Sequence, residues 1–174
     1  MRAEQLTVQA FGCYLRETRV DFSALNGNIF LITGSTGGGK TTLLDGICFA
    51  LYCRATGGSR SWSDMRSISA PQSVPTVVDF SFSLGRERYR FRRSLKIHQV
   101  RGSGRLEQRD EHACWQWKNE DWSLLVSGAE SKVREKAQEL LGLTCEQFSQ
   151  VVVLPQGEFR KLLLSNSTEK ARIF

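Results

Sequence analysis

The stretch that most constrains this chain is Gly34-Ser35-Thr36-Gly37-Gly38-Gly39-Lys40-Thr41, which satisfies the pattern G-x-x-x-x-G-K-[ST] at every fixed position. The apolar run Ile29-Phe30-Leu31-Ile32 before it predicts a short buried strand, and Thr42 to Tyr52 after it predicts a helix. Strand, glycine-rich loop and helix in that order form a phosphate-binding loop. Glycines let the backbone curl so that several N–H groups converge on one anion, and the helix N-terminus adds its positive dipole end. Lys40 supplies a point charge for the β- and γ-phosphates. The Thr41 hydroxyl suits Mg²⁺, which prefers oxygen ligands bridged to phosphate. A nucleoside triphosphate, ATP with Mg²⁺, is the expected ligand, held by residues Gly34, Ser35, Thr36, Gly37, Gly38, Gly39, Lys40, Thr41 and Thr42.

Around this loop the chain has the means to build a core, since 40% of its 174 residues are hydrophobic. No apolar run approaches the roughly 18 residues of a membrane span, and residues 1–5 carry no apolar leader. The five cysteines (Cys13, Cys48, Cys53, Cys114, Cys145) are scattered and odd in number, with no C-x-x-C pair. This predicts a reducing, cytoplasmic setting, no zinc or disulfide, and buried or idle thiols. Net charge is +6, but Arg86 to Arg105 alone holds seven Arg and one Lys against Glu87. A basic concentration of this kind is the footprint of a polyanionic partner.

Alternation predicts strands over Gln5–Phe11 and Arg19–Phe22, paired antiparallel, with Asn26-Gly27 turning the chain into the phosphate loop. The helix after the loop is apolar nearly all round and is expected to lie buried on a sheet, with Asp45 as a solvated edge residue. Arg54 to Pro75 reads as a polar, Gly/Ser-rich loop. Thr76–Leu84 and Glu87–Leu95 read as a hairpin whose second strand places Arg88, Arg90 and Arg92 on one face and Tyr89 and Phe91 on the other. A connection over Arg101–Asp110 precedes two further short strands around Cys114–Trp117 and Asp121–Val126. Ser127 to Glu130 and Thr144 to Gln147 read as capping boxes of two helices, the first ended by Gly142. Val151–Leu154 reads as a buried strand stopped by Pro155. No strand after residue 42 ends in Asp or Glu, so the acid that would hold Mg²⁺ and water is expected in a further lobe.

The stretches Thr33–Asp45, Leu6–Gly12 and above all Val152-Val-Leu-Pro-Gln-Gly-Glu-Phe159 resemble the SbcC family, ATPase subunits of the bacterial SbcCD nuclease and relatives of the SMC proteins. The resemblance implies an α/β fold: a P-loop NTPase of ABC-ATPase type, N-terminal lobe only, with an antiparallel β meander after the P-loop helix. Within one lobe over 1–174 it divides the chain into strands, P-loop and helix (1–55), meander (56–125), and helices with the Q-loop (126–174). It implies a head split by a long coiled coil with a zinc hook, and two heads sandwiching two ATP molecules. The partners implied are a second copy of the head, the C-terminal lobe, an SbcD-type nuclease and double-stranded DNA, with no membrane. Gln156 matches the Q-loop glutamine, which reaches Mg²⁺ and the attacking water; an ordinary turn residue after Pro155 is the other reading. The segment Gly12–Tyr14 is placed near the base or phosphates. The signature motif and the Walker B acid are absent from this stretch, so efficient hydrolysis by it alone is not expected.

Two features leave alternatives open. Arg88, Arg90, Arg92 and Arg93 are candidates for phosphate-backbone contacts with DNA, or else the solvated face of an edge strand. Trp115, Trp117 and Trp122 suit either packing between sheet and helix or base stacking, and packing is favoured. At the level of function, an SMC-like chromosome-structure ATPase without a nuclease and an ABC transporter ATPase are the rivals to a DNA-repair ATPase. A small-molecule kinase is disfavoured because no lid or acceptor site is apparent.

Overall fold

The computed structural model describes residues 1–25, 30–56, 60–99 and 105–151. Strands β1 (Arg2–Gln9) and β2 (Thr18–Asp21) pair antiparallel, as their alternation predicts. Helix α1 (Lys40–Tyr52) follows, then a connection with one 3-10 turn at Ser63–Met65. Strands β3 (Thr76–Leu84), β4 (Glu87–Gln99), β5 (Leu106–Lys118) and β6 (Asp121–Ser127) form a meander, and helices α2 (Glu130–Leu141) and α3 (Cys145–Val151) close the described chain. All six strands join one antiparallel sheet in the order β2-β1-β3-β4-β5-β6.

The sheet has a helix-covered face and an open face. Leu6 and Val8 of β1, Phe80 and Phe82 of β3, and Phe91 of β4 lie on the face toward α1 and are buried with Ile47, Phe49 and Leu51. Burial of side chains this size stabilises the fold by about 1.5–3 kcal/mol each, so this layer fixes where α1 lies. Val133 and Ala137 of α2 and Phe148 of α3 extend the same layer. The second capping box forms: Thr144 N–H donates to Gln147 Oε1 at 2.9 Å, and Gln147 N–H donates to Thr144 Oγ1 at 3.3 Å.

Several expectations are corrected. Phe30, Leu31 and Ile32 form no strand, and Leu31 is 85% exposed. A strand needs a neighbour for its N–H and C=O groups, and no described strand pairs with this segment, whose Phe30 ring instead packs on Phe22 at 4.8 Å. The first capping box does not form: Ser127 ends β6, and the α2 N-cap is Ala129, which makes no side-chain cap. Val151 belongs to α3; the rest of the expected strand, Pro155 and Gln156 lie outside the described residues. The expected connection over 101–110 is shorter, because β4 and β5 run on as a hairpin arm to Gln99 and Leu106. This arm is held by its backbone ladder, with Lys96 Nζ 3.0 Å from Glu111 across the strands.

The connection after α1 is tied down. Asp45 is not a solvated edge residue: it is fully buried, accepts hydrogen bonds from the Thr56 N–H and hydroxyl, and pairs with Arg60 at 2.8 Å. Farther on, Arg66 donates to the carbonyls of Val74 and Pro71 and to the Thr76 hydroxyl. Met65 and Trp62 are buried, with Trp62 packed against Phe11 and Phe49.

Candidate nucleotide site

The phosphate-loop residues gather at the N-terminus of α1. Gly34, Gly37 and Gly39 have φ of 156°, 82° and 85°, conformations that favour glycine, and the Gly38 N–H donates to the Ser35 carbonyl at 3.1 Å. Gly39 is the N-cap of α1; no side chain caps this end and its first turn holds no acid. The positive end of the helix dipole therefore faces the loop without a carboxylate to neutralise it. Lys40 reaches back over the loop, its Nζ 2.9 Å from the Gly34 carbonyl and 2.7 Å from that of Ser35. Thr36 and Thr41 are exposed, while Thr42 is half-buried. Backbone donors, an ammonium and an exposed hydroxyl are a donor set suited to phosphate and its Mg²⁺.

The segment Phe11–Tyr14 lies against this loop. The Tyr14 hydroxyl donates to the Gly39 carbonyl at 3.3 Å, and Cys13 sits exposed beside Gly39. Burial raises the Tyr14 pKa, with Cys13 adding to the effect, so the phenol stays a donor at neutral pH. Cys48 and Cys114 are pushed up to about 12 and Cys53 to about 11, each chiefly by burial. These thiols are inert. Among the described residues no His/Cys/Asp/Glu cluster suits a metal, and no helix is long and apolar enough to cross a membrane.

The basic residues divide. Arg88, Arg90 and Arg92 share the open face, as alternation predicts, but β4 lies inside the sheet between β3 and β5 and is no edge strand. Arg88 pairs with Glu4 at 3.0 Å and lies over Trp117 and Trp122; Arg90 pairs with Asp79 at 2.6 Å and lies over Trp115. Arg92 is 4.0 Å from Asp79 and nearly half exposed. The tryptophans thus form an outer layer with the arginines and do not pack between sheet and helix. Arg93 does not join them. It points inward, fully buried, and donates from Nε to the Ala50 carbonyl (2.8 Å) and from Nη2 to that of Leu51 (2.7 Å). His112 Nδ1 lies 3.2 Å from its Nη1. Parity carried the signal: Arg93 has the same register as Tyr89 and Phe91. Asp45 carried one too, as the one acid in an otherwise apolar helix.

An AAA domain family matches residues 5–174, and the chain belongs to this family of P-loop ATPases. The described lobe is accordingly an α/β P-loop NTPase lobe with an antiparallel meander after the P-loop helix. Over its whole length the chain is similar to the SbcC component of the nuclease SbcCD from Vibrio cholerae, at 39% identity over 178 residues. It is 38% identical to the SbcC protein of Staphylococcus saprophyticus over 99% of this chain, and 33% to that of Staphylococcus haemolyticus. The chain spans about 17% of the length of these relatives. The SMC head domain from Thermotoga maritima aligns with 78% of this chain and 42% of its own, at 18% identity and a TM-score of 0.41.

Proposed function

We propose that this chain is the ATP-binding N-terminal lobe of an SbcC-type ATPase head, in which ATP binding drives two heads together and controls a partner nuclease on DNA in the cytoplasm. The observation that carries it is the uncapped, acid-free N-terminus of α1 facing a loop across which Lys40 is drawn. The loop N–H groups and Lys40 would hold the phosphates, and Thr41 and Gln156 would hold Mg²⁺, which neutralises charge on the phosphate oxygens when bound. No described strand after α1 ends on an acid, consistent with a Walker B residue supplied by another lobe. Similarity to proteins named as parts of the SbcCD nuclease supports a nuclease partner and DNA. For DNA, Arg92 is the proposed contact, since Arg88 and Arg90 of the same face are answered by Glu4 and Asp79; Arg93 is buried and is not among the candidates.

The test is Lys40→Ala in the intact protein, with Mg-ATP affinity measured by calorimetry. Affinity should fall by about 100-fold, equivalent to about 2.7 kcal/mol. Binding equal to wild type sinks the phosphate-loop reading.

A further inference from the structure

The segment between β1 and β2 is built as a rigid wedge. Phe11 and Tyr14 exchange backbone hydrogen bonds at 3.0 and 2.9 Å, closing a tight loop. Its back is clipped to the connection after α1: the Gly12 N–H donates to the Met65 carbonyl at 2.7 Å and the Ser67 N–H to that of Ala10 at 2.9 Å. That connection is fastened to α1 through Asp45, Thr56 and Arg60. The front of the wedge abuts the phosphate loop. A Cβ on Gly12 would lie 2.5 Å from Thr42 Cγ2, and one on Gly39 would lie 2.7 Å from both Cys13 Sγ and Tyr14 Oη. The wedge is thus held to α1 at two places, the Asp45 clamp and the N-cap.

At the N-cap the contact falls on one peptide group. The Gly39 carbonyl accepts the Tyr14 hydroxyl at 3.3 Å and the Leu43 N–H, the first bond of the helix, at 3.0 Å. A trans peptide is planar, so its N–H points opposite to its carbonyl. Fixing the Gly39 carbonyl therefore fixes the Lys40 N–H, one of the orphan donors at the helix start, toward the phosphate loop. We propose that Tyr14 is a positioning residue for nucleotide binding, whose hydroxyl pins the Gly39–Lys40 peptide so that the Lys40 N–H is aimed at the β-phosphate of a nucleoside di- or triphosphate. This inference rests on the phosphate-loop reading above. Tyr14 acts through backbone and makes no demand on the base.

Tyr14→Phe removes the donor and keeps the ring that fills the space beside Gly39. In the intact protein, dissociation constants for Mg-ATP, Mg-ADP and adenosine are measured together with the melting temperature without nucleotide. Loss of one such hydrogen bond should weaken ATP and ADP by the same factor, about 3- to 10-fold. Adenosine affinity should not move, which separates positioning from a merely structural role, and the melting temperature should fall by no more than the loss of one hydrogen bond allows. ATP and ADP affinities equal to wild type, with Lys40→Ala still defective, overturn the role of Tyr14 and leave the phosphate loop standing. Equal weakening of adenosine also overturns it, because the contact would then be to the nucleoside. If Lys40→Ala binds as wild type does, the phosphate-loop reading fails and this inference fails with it.

Discussion

The two ends of α1 are finished in opposite ways. The N-terminus has a glycine N-cap, no capping side chain and no acid in its first turn, and Lys40 is tethered among the described residues to the loop carbonyls of Gly34 and Ser35. The C-terminus is closed from within: Cys53 turns into the left-handed region with its N–H on the Phe49 carbonyl, and Arg93 fills the carbonyls of Ala50 and Leu51. A guanidinium there meets the negative end of the dipole, as the uncapped end would meet an anion. On the proposed reading the positive end is kept for a ligand, whereas the negative end is committed to the fold. Substitutions at one end should therefore change binding without stability, and at the other stability before binding.

The sharpest way to break this contrast is Arg93→Met. It leaves two buried carbonyls without donors, each costing about 1–3 kcal/mol, partly offset because a charge no longer has to be buried. Chemical denaturation should show a loss of about 3 kcal/mol, whereas Lys40→Ala should stay within about 0.5 kcal/mol of wild type, as surface substitutions do. Comparable losses from the two would end the distinction.

His112 sharpens the same end by pH. Burial first, and the neighbouring Arg93 second, lower its pKa to about 4 from an ordinary 6.5. The unfolded chain then binds a proton between these values that the folded chain refuses. The His112 contribution is complete above pH 6.5 and is lost as pH falls toward 4. That difference corresponds to about 3 kcal/mol. Subtracting the stability profile of His112→Gln from that of wild type isolates it; a flat difference across this window means His112 is not buried neutral against Arg93.

A smaller effect is expected midway along α1, at Asp45. Asp45→Asn keeps the size but loses the charge that holds Arg60, whose own side chain stays partly solvated. Stability should fall by about 1–2 kcal/mol, and limited proteolysis should cut between residues 54 and 62 faster than in wild type. Unchanged cleavage would show that the clamp does not hold the connection.

The loop end was legible because its chemistry is local: a fixed spacing of glycines, Lys40 and Thr41 announces itself whatever surrounds it. The antiparallel strands and the burial of α1 were legible for a similar reason, through period-2 and all-round apolar patterns. The closed end was not, since Arg93, Ala50 and His112 meet only once the sheet has folded on the helix. Tyr14 was placed near the phosphates only by resemblance, and its partner is a backbone carbonyl, which leaves no mark in a sequence. The segment Phe30–Ile32 misled because an apolar run predicts burial but does not say which neighbour provides it.

The open face of the sheet offers the smallest and most discriminating test, because its arginines look alike in sequence and differ in structure. Arg88 is stacked on two tryptophans and answered by Glu4, while Arg92 makes a 4.0 Å approach to a carboxylate already engaged by Arg90 and a longer-range interaction with Glu111. If DNA lies here, Arg92 has charge to give a phosphate and Arg88 has little. Arg92→Gln should reduce the slope of log affinity against log salt by about 0.9, the release of one phosphate's counterions. Arg88→Gln should leave the slope unchanged and cost at most about 1 kcal/mol of stability, as exposed ion pairs do. Equal flattening by both would mean that DNA competes Glu4 away. Flattening by neither would assign the whole ladder to the fold, making the open face, like the closed end of α1, a place where arginine serves structure.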